Sequence, residues 1–254
     1  MITIHTNMSK IVNLRIHIAP VGFEIDRIAI PAKQMKADRV WLLMHEEPSK
    51  DRAQGFMEKI KTQLKKEKIE VQIAYSNRFD LFKILRALKE IVQKEEGNDI
   101  FVNCSSGSKI QAIACMMACM MFQGKTKLTP YYAEPESYSS VKGEQLSLGL
   151  KSVVKLPAYE IHTPKPILVQ ALKIIQENGG RITKKEMAKI AYEKKLIVVN
   201  AREENFQQAR FASLDKNIIQ PLLNEWKFIE VERIGRTRWI KTTPEGLGAV
   251  EFLG

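Results

Sequence analysis

The chain has 254 residues, enough for one large domain or two ordinary ones, with 44% hydrophobic and 27% charged residues, the balance of a globular protein. Its formal net charge is +11, which points toward an anionic partner such as nucleic acid or a nucleotide. No apolar run approaches the roughly 20 residues needed to span a bilayer, so no membrane partner is expected.

The start, MITIHTNMSKIVNL, has no long apolar stretch, so no secretory signal is expected, and Met8 offers an alternative start. Three cysteines, Cys104, Cys115 and Cys119, do not make a disulfide framework. Cys115 and Cys119 lie one helical turn apart, but no further Cys or His completes a metal site, so they read as small core residues. A reducing, cytoplasmic setting follows, with no metal and no resident cofactor.

The first 135 residues alternate strand-like and helix-like segments. Leu14–Ala19 reads as a strand, then a helix from about Glu24 to Lys36, then the apolar run Val40–Met44. Ser49 or Asp51 is placed to cap a charged helix ending near Lys68. Ile69–Tyr75 alternates as a strand. Phe79–Glu96 puts Leu81, Ile84, Leu85, Leu88, Ile91 and Val92 on one helical face. Ile100–Asn103, a Met-rich helix to Phe122 and a strand at Leu128–Tyr132 follow.

This order predicts an α/β fold, a Rossmann-like doubly wound parallel sheet. One strand fits poorly. Leu14–Ile18 alternates apolar and polar, whereas a central parallel strand is apolar on both faces. Arg15 and His17 are therefore left for a dimer or ligand surface, or for a strand less covered than its neighbours.

Residues 136–164 lack clear periodicity. The expected division is a sensing and dimerisation domain over 1–150, a linker over 151–164 and a second domain over 165–254. The second domain reads as helix Ile167–Glu177, a stop at Gly179-Gly180, and a helix opened by Thr183 with Glu186 in capping-box spacing. A further helix lies between Phe206 and Trp226, with Leu214, Ile218 and Leu222 in register and Pro221 expected to kink or divide it. Phe228–Val231 and Arg238–Lys241 make a hairpin around Gly235. Three helices and a hairpin are the order of an α+β winged helix-turn-helix domain. The first 163 residues carry 24 basic and 18 acidic side chains, the remaining 91 carry 16 and 11, so the second part is denser in positive charge.

In an open parallel sheet, ligands sit beyond the carboxyl ends of the strands. Two turns occupy that edge: Pro20-Val21-Gly22-Phe23 and Ser105-Ser106-Gly107-Ser108-Lys109. Each leads into a helix whose first N–H groups and dipole favour anions. Gly107 permits close backbone approach, the serines supply hydroxyls, and Lys109 supplies charge. The alternative is a serine-capped corner with no ligand, and the residues alone leave both open. Gly124-Lys125-Thr126 imitates the end of a P-loop but follows a helix instead of opening one. His45-Glu46-Glu47-Pro48 lacks the second histidine of a zinc protease. No catalytic set can be read, so enzyme activity is left undecided and a binding role favoured.

"VNCSSGSKIQAIACMMACM" and "TPYYAEPESY", joined to a C-terminal winged helix, resemble the CARF (CRISPR-associated Rossmann fold) family of archaeal transcriptional regulators. The resemblance covers nearly the whole chain and is most specific over Asn103–Glu136. It implies a homodimer that binds cyclic oligoadenylate, commonly cyclic tetra-adenylate, across its two-fold axis through the loops after the first and fourth strands. Those are the same Pro20–Phe23 and Ser105–Lys109 turns. Some relatives also cut the ring, so the alternative reading is a ring nuclease, a phosphodiesterase acting in the CARF pocket. A third is a winged helix used only for protein contacts.

For double-stranded DNA, the best recognition segment is Ala212–Gln220, where Ser213, Lys216, Asn217 and Gln220 share the face opposite the apolar stripe. Arg210 precedes that face. Arg233, Arg236 and Arg238 surround the wing tip and suit phosphates. Lys184 and Lys185 are secondary candidates.

Overall fold

A computed structural model describes residues 12–47, 49, 51–122, 126–141 and 144–253. The chain separates into two compact units, Met1–Ile161 and His162–Gly254. Met8 and the Gly124-Lys125 pair lie outside the described residues.

In the first unit the strands β1 (Arg15–Pro20), β2 (Arg39–His45), β3 (Glu70–Ser76), β4 (Asp99–Asn103) and β5 (Leu128–Glu134) pair in parallel in the order β3-β2-β1-β4-β5. The helices α1 (Asp26–Gln34), α2 (Gln54–Lys66), α3 (Leu81–Lys94) and α4 (Lys109–Met121) connect them. The strand order reverses between β1 and β4. That is the switch point at which the loops after the two strands part and leave a crevice.

Two departures from the sequence reading concern the segment after β5. Two short strands, β6 (Ser137–Tyr138) and β7 (Ser147–Leu148), form a hairpin of their own. A further strand, β8 (Ser152–Lys155), adds antiparallel to β5 and closes that edge of the sheet. The expected linker over 151–164 is thus partly sheet, and the first unit continues to Ile161, whose N–H donates to the Met120 carbonyl. These strands are two to four residues long, too short to show the alternation that marks a strand in sequence.

His17 is a further departure. β1 is central and its side chains are covered, so His17 is only 1% exposed. Its Nδ1 lies 3.2 Å from Tyr131 Oη, and its ring packs against Phe101 and Tyr131. Burial holds its pKa down at about 4, so the imidazole is neutral at pH 7. The alternating pattern therefore marks a core histidine with an aromatic escort. Arg15, at the strand's start, is exposed and reaches the Met35 carbonyl.

The capping expected for α2 is also rearranged. Asp51 does not cap the helix, which opens after Ala53. Its carboxylate instead accepts from the Ala53 and His45 N–H groups and from Arg78 Nη2, tying the ends of β2 and β3 together.

The second unit has α5 (Pro166–Glu177), β9 (Arg181–Thr183), α6 (Lys184–Glu193), α7 (Phe206–Leu214), β10 (Ile229–Ile234), β11 (Thr237–Thr242) and α8 (Pro244–Leu253). Its sheet order is β10-β11-β9, all antiparallel. Leu168, Leu172, Ile175, Met187, Leu214, Ile218, Leu222, Ile229 and Ile240 form the core. Thr183 caps α6 as its spacing predicts, its Oγ1 accepting from the Glu186 N–H at 3.1 Å.

Pro221 does not divide the helix after α7. The helical path runs on through two wide π turns, Asp215–Ile219 and Pro221–Glu225. Proline has no N–H and crowds the carbonyl four residues back. The backbone widens around it, with Gln220 N–H reaching back five residues to Asp215 O and Trp226 N–H to Pro221 O.

Candidate ligand rim and nucleic-acid surface

Local chemistry positions the first rim. Ser108 ends the loop after β4 in extended backbone and caps α4: its Oγ accepts from Gln111 N–H, while Gln111 Oε1 accepts from Ser108 N–H. This box leaves out the N–H groups of Lys109 and Ile110, the donors at the tip of the helix. Gly107 adopts φ +76°, and a Cβ there would lie 2.5 Å from the Pro20 Cβ and 2.8 Å from Gln111 Oε1. Only glycine fits. Lys109 is exposed beside it.

The two expected loops meet. Ser106 Oγ donates to the Pro20 carbonyl at 2.8 Å, and a Cβ on Gly22 would lie 3.1 Å from Gly107 Cα. The groups divide unequally between surface and interior. Gly22, Phe23, Ser105, Gly107, Ser108 and Lys109 reach solvent in part, while Pro20, Val21 and Ser106 are buried. Val21 is fully covered and belongs to the core against β2. Ser105 Oγ donates to Asn103 Oδ1 and accepts from the Ala133 N–H, so this hydroxyl braces the loop. Of the three serines, two spend their hydroxyl protons inside the protein.

The helix after the first loop departs from expectation. Gln145, from the segment between β6 and β7, covers the start of α1: its Oε1 accepts from Ile25 N–H at 3.0 Å and from Asp26 N–H at 3.1 Å. Its Nε2 donates to Asp26 Oδ2 at 2.9 Å. An amide side chain thus occupies the anion-seeking end of α1, and of these two helix starts it is the tip of α4 that keeps that character. Nearby, buried Arg27 donates Nε to the Ala133 carbonyl at 2.8 Å and lies over Tyr132, with Nη1 3.5 Å from Glu24. Glu24 also accepts a short hydrogen bond from Ser147 Oγ.

A cleft of about 580 Å3 opens beside the first loop, lined by Phe23, Arg52, Phe56, Ser139, Ser140, Val141, Glu144 and Leu146. Sequence reading found Phe23 but none of the others. They come from two stretches that chain order separates and that carry no motif.

Burial pushes the Cys104 pKa up to about 12 and raises those of Cys115 and Cys119, so all three remain protonated.

In the second unit Lys216, Asn217 and Gln220 are exposed on one side of the helix, with Leu214, Ile218 and Leu222 buried on the other. Ser213 is half-buried and donates to the Val198 carbonyl, while Asn217 Nδ2 donates to the Ser213 carbonyl. Arg210 is half-buried, its guanidinium 5.9 Å from the Phe206 ring centroid. Arg233, Arg236 and Arg238 are exposed on the wing. A second cleft, about 540 Å3, gathers Lys184, Lys185, Arg236 and Arg238 around Thr183, Phe211 and Thr237. The secondary lysines therefore stand with the wing arginines. Lys184 Nζ is bound to Asp215 Oδ2 at 2.5 Å.

Among the described residues no helix is long and apolar enough to cross a membrane.

Residues 15–138 match the family described as HFX_2341_N-like, N-terminal, and residues 167–254 match the DUF6293 C-terminal winged helix domain. The chain is 28% identical to the uncharacterised protein MJ1513 of Methanocaldococcus jannaschii in an alignment covering 72% of this chain and 62% of that protein. Csm6 of Enterococcus italicus, solved bound to cyclic hexa-2'-fluoro-hexa-dAMP, is similar at 12% identity and a TM-score of 0.46, over 84% of this chain and 56% of that one. Can2 of Sulfobacillus thermosulfidooxidans, solved with cyclic tetra-adenylate, is similar at 16% identity and a TM-score of 0.39, over 93% of this chain and 63% of that one. The chain spans less than two thirds of the length of each of these three. The two family matches thus place an HFX_2341_N-like N-terminal domain over residues 15–138 and a DUF6293 C-terminal winged helix domain over residues 167–254.

Proposed function

We propose that this protein is a CRISPR-associated transcriptional regulator that works in the cytoplasm as a homodimer, binds double-stranded DNA, and responds to a cyclic oligoadenylate. The observation that carries the reading is the union on one chain of two surfaces of matching chemistry. One is a switch-point rim where Gly107, the tip of α4 and Lys109 favour an anion. The other is a winged helix domain that exposes Lys216, Asn217 and Gln220 on its helix and Arg233, Arg236 and Arg238 on its wing.

The residues suggest a division of labour on DNA. Asn217 and Gln220, whose amides bond to Ser213 and Asn224 within the helix, would turn outward to read adenine edges, and Lys216 reads guanine or a phosphate. The wing arginines hold phosphates, which sets position and salt dependence without choosing sequence. The ligand assignment, with cyclic tetra-adenylate as the first ring to test, rests on the resemblance of Asn103–Glu136 to CARF proteins. A ring lying across a two-fold axis would meet two copies of Lys109 and two α4 tips.

The homodimer is supported by α4 itself. Between Lys109 and Phe122 it carries no charged residue, yet Ile113 is 56% exposed and Met116, Met117 and Met120 are half-buried. A helix apolar all round is normally covered on every side. Ligand control then requires that the ring favour one dimer arrangement over another, because equal affinity for both shifts nothing.

The test is a gel shift with the protein's own promoter DNA, with and without cyclic tetra-adenylate. Binding at low salt that the ring strengthens or weakens is expected, and Lys109→Ala should abolish that response while sparing DNA binding without ligand. DNA left unshifted at low salt would remove the regulator reading. Chromatography of the same incubation distinguishes a regulator from a ring nuclease: linear products would favour the latter.

A further inference from the structure

We propose that the cleft beside the first rim loop is a stacking subsite for a purine base, belonging to a nucleotide whose phosphate lies at the Gly107–Lys109 loop. The inference rests on the nucleotide-sensing reading above and deepens it by naming where the base goes and which side chains select it.

Four observations converge. Phe23 and Phe56 stand with ring centroids 5.4 Å apart at 59°, one from the loop after β1 and the other from α2. Phe23 is nonetheless 36% exposed, so a large flat ring is left partly in water at the mouth of a cleft. The cleft's volume, about 580 Å3, falls in the range of small-ligand sites and far exceeds what a single side chain would fill. Finally, Gly22 packs against Gly107 in the close approach described above, so Phe23, the next residue, stands beside the loop that favours phosphate.

The polar groups around the cleft complement a base edge. Arg52 is exposed at its rim and offers N–H donors to ring nitrogens, or a guanidinium plane for stacking. Glu144 offers an acceptor to an exocyclic amino group. Ser139 Oγ accepts from the Val141 N–H at 3.2 Å, and a hydroxyl can donate as well as accept. One face of apolar rings, one cation and one carboxylate suit a flat, amino-bearing heterocycle. A free phosphate has no flat face for the rings to stack on.

The full chain is titrated by calorimetry with AMP, ribose 5-phosphate and cyclic tetra-adenylate. AMP is expected to bind at least about tenfold more tightly than ribose 5-phosphate, the worth of one base stack. Phe23→Leu, which keeps apolar packing on Phe56 but removes the flat ring, is expected to erase that preference and to weaken cyclic tetra-adenylate binding by a similar factor. Arg52→Ala, at an exposed position where folding is not at stake, should weaken AMP severalfold and leave ribose 5-phosphate unchanged. Equal binding of AMP and ribose 5-phosphate, or an AMP preference that survives both substitutions, overturns the subsite whatever the ring does. A wild type that ignores the cyclic ring but keeps an AMP preference lost in Phe23→Leu supports the subsite and removes cyclic tetra-adenylate as the ligand.

Discussion

Asn103 Nδ2 donates to the Arg27 carbonyl at 2.8 Å, joining the end of β4 to the first turn of α1. The acceptor is available because Pro31, four residues farther along the helix, has no N–H to give it. Asn103 Oδ1 meanwhile accepts from the N–H and hydroxyl of Ser105. One fully buried amide thus sets the rim loop relative to the helix beside it. Asn103→Ala is expected to lower stability by about 2 kcal/mol, since it strands a buried carbonyl and frees the loop. Restoring a helix donor with Pro31→Ala should recover part of that loss, so a double-mutant cycle in urea will show coupling between two residues distant in sequence.

Gly107 and Gly97 separate backbone strain from steric closure. Both have positive φ, +76° and +83°, but a Cβ at Gly97 meets nothing within 4 Å. Gly97→Ala is expected to cost about 1 kcal/mol, the left-handed penalty alone. Gly107→Ala adds the collision with Pro20 and Gln111 and should cost at least about twice as much. Denaturant midpoints of the two variants measure the difference.

His17 makes stability depend on pH. Its folded pKa of about 4 lies below the ordinary 6.5, so the unfolded chain binds the proton more readily. Stability from this residue is therefore full above pH 6.5, declines as pH falls toward 4, and changes no further below that. The whole effect is about 3 kcal/mol at most. His17→Phe, in an already aromatic setting, should flatten the fall in unfolding free energy between pH 6.5 and 4.5 relative to wild type.

Arg236 stands at the wing tip and lines the cleft shared with Lys184 and Lys185. Arg236→Ala is expected to weaken all DNA sequences alike and to reduce the slope of log K against log salt by about one. Asn217→Ala should instead act mainly at one base-pair position, a contrast that titrations against matched and mismatched operators will reveal.

Ile113 tests the face of α4. Ile113→Glu places a charge where an apolar helix is open to solvent and should leave the fold intact. Sedimentation is expected to give a dimer for the wild type and a monomer for the variant, and the DNA affinity of the full chain should fall with loss of the second half-site.

The order of β1–β5 and α1–α4 was legible because each of these elements is long enough to display its period. α3 places Ile84, Leu85, Leu88, Ile91 and Val92 in the core as its spacing predicts. The winged helix was legible from Thr183, the Leu214–Leu222 stripe and Gly235, whose φ is +61°. Caps, turns and amphipathic stripes are written within a few neighbouring residues.

What only the tertiary structure decided involves partners far apart in sequence. The sequence of β1 shows a polar residue at 17, but whether it faces water depends on Tyr131, more than a hundred residues away. The start of α1 reads as an anion site until Gln145 is brought across to cap it. Phe23 shares its cleft with residues of α2 and of the segment between β6 and β7, neither of which has a signature of its own. Local chemistry determined which segments form helices, strands and turns. Long-range burial and hydrogen bonding decided which of their polar groups remain available, because a donor is free only where folding brings no other acceptor to it.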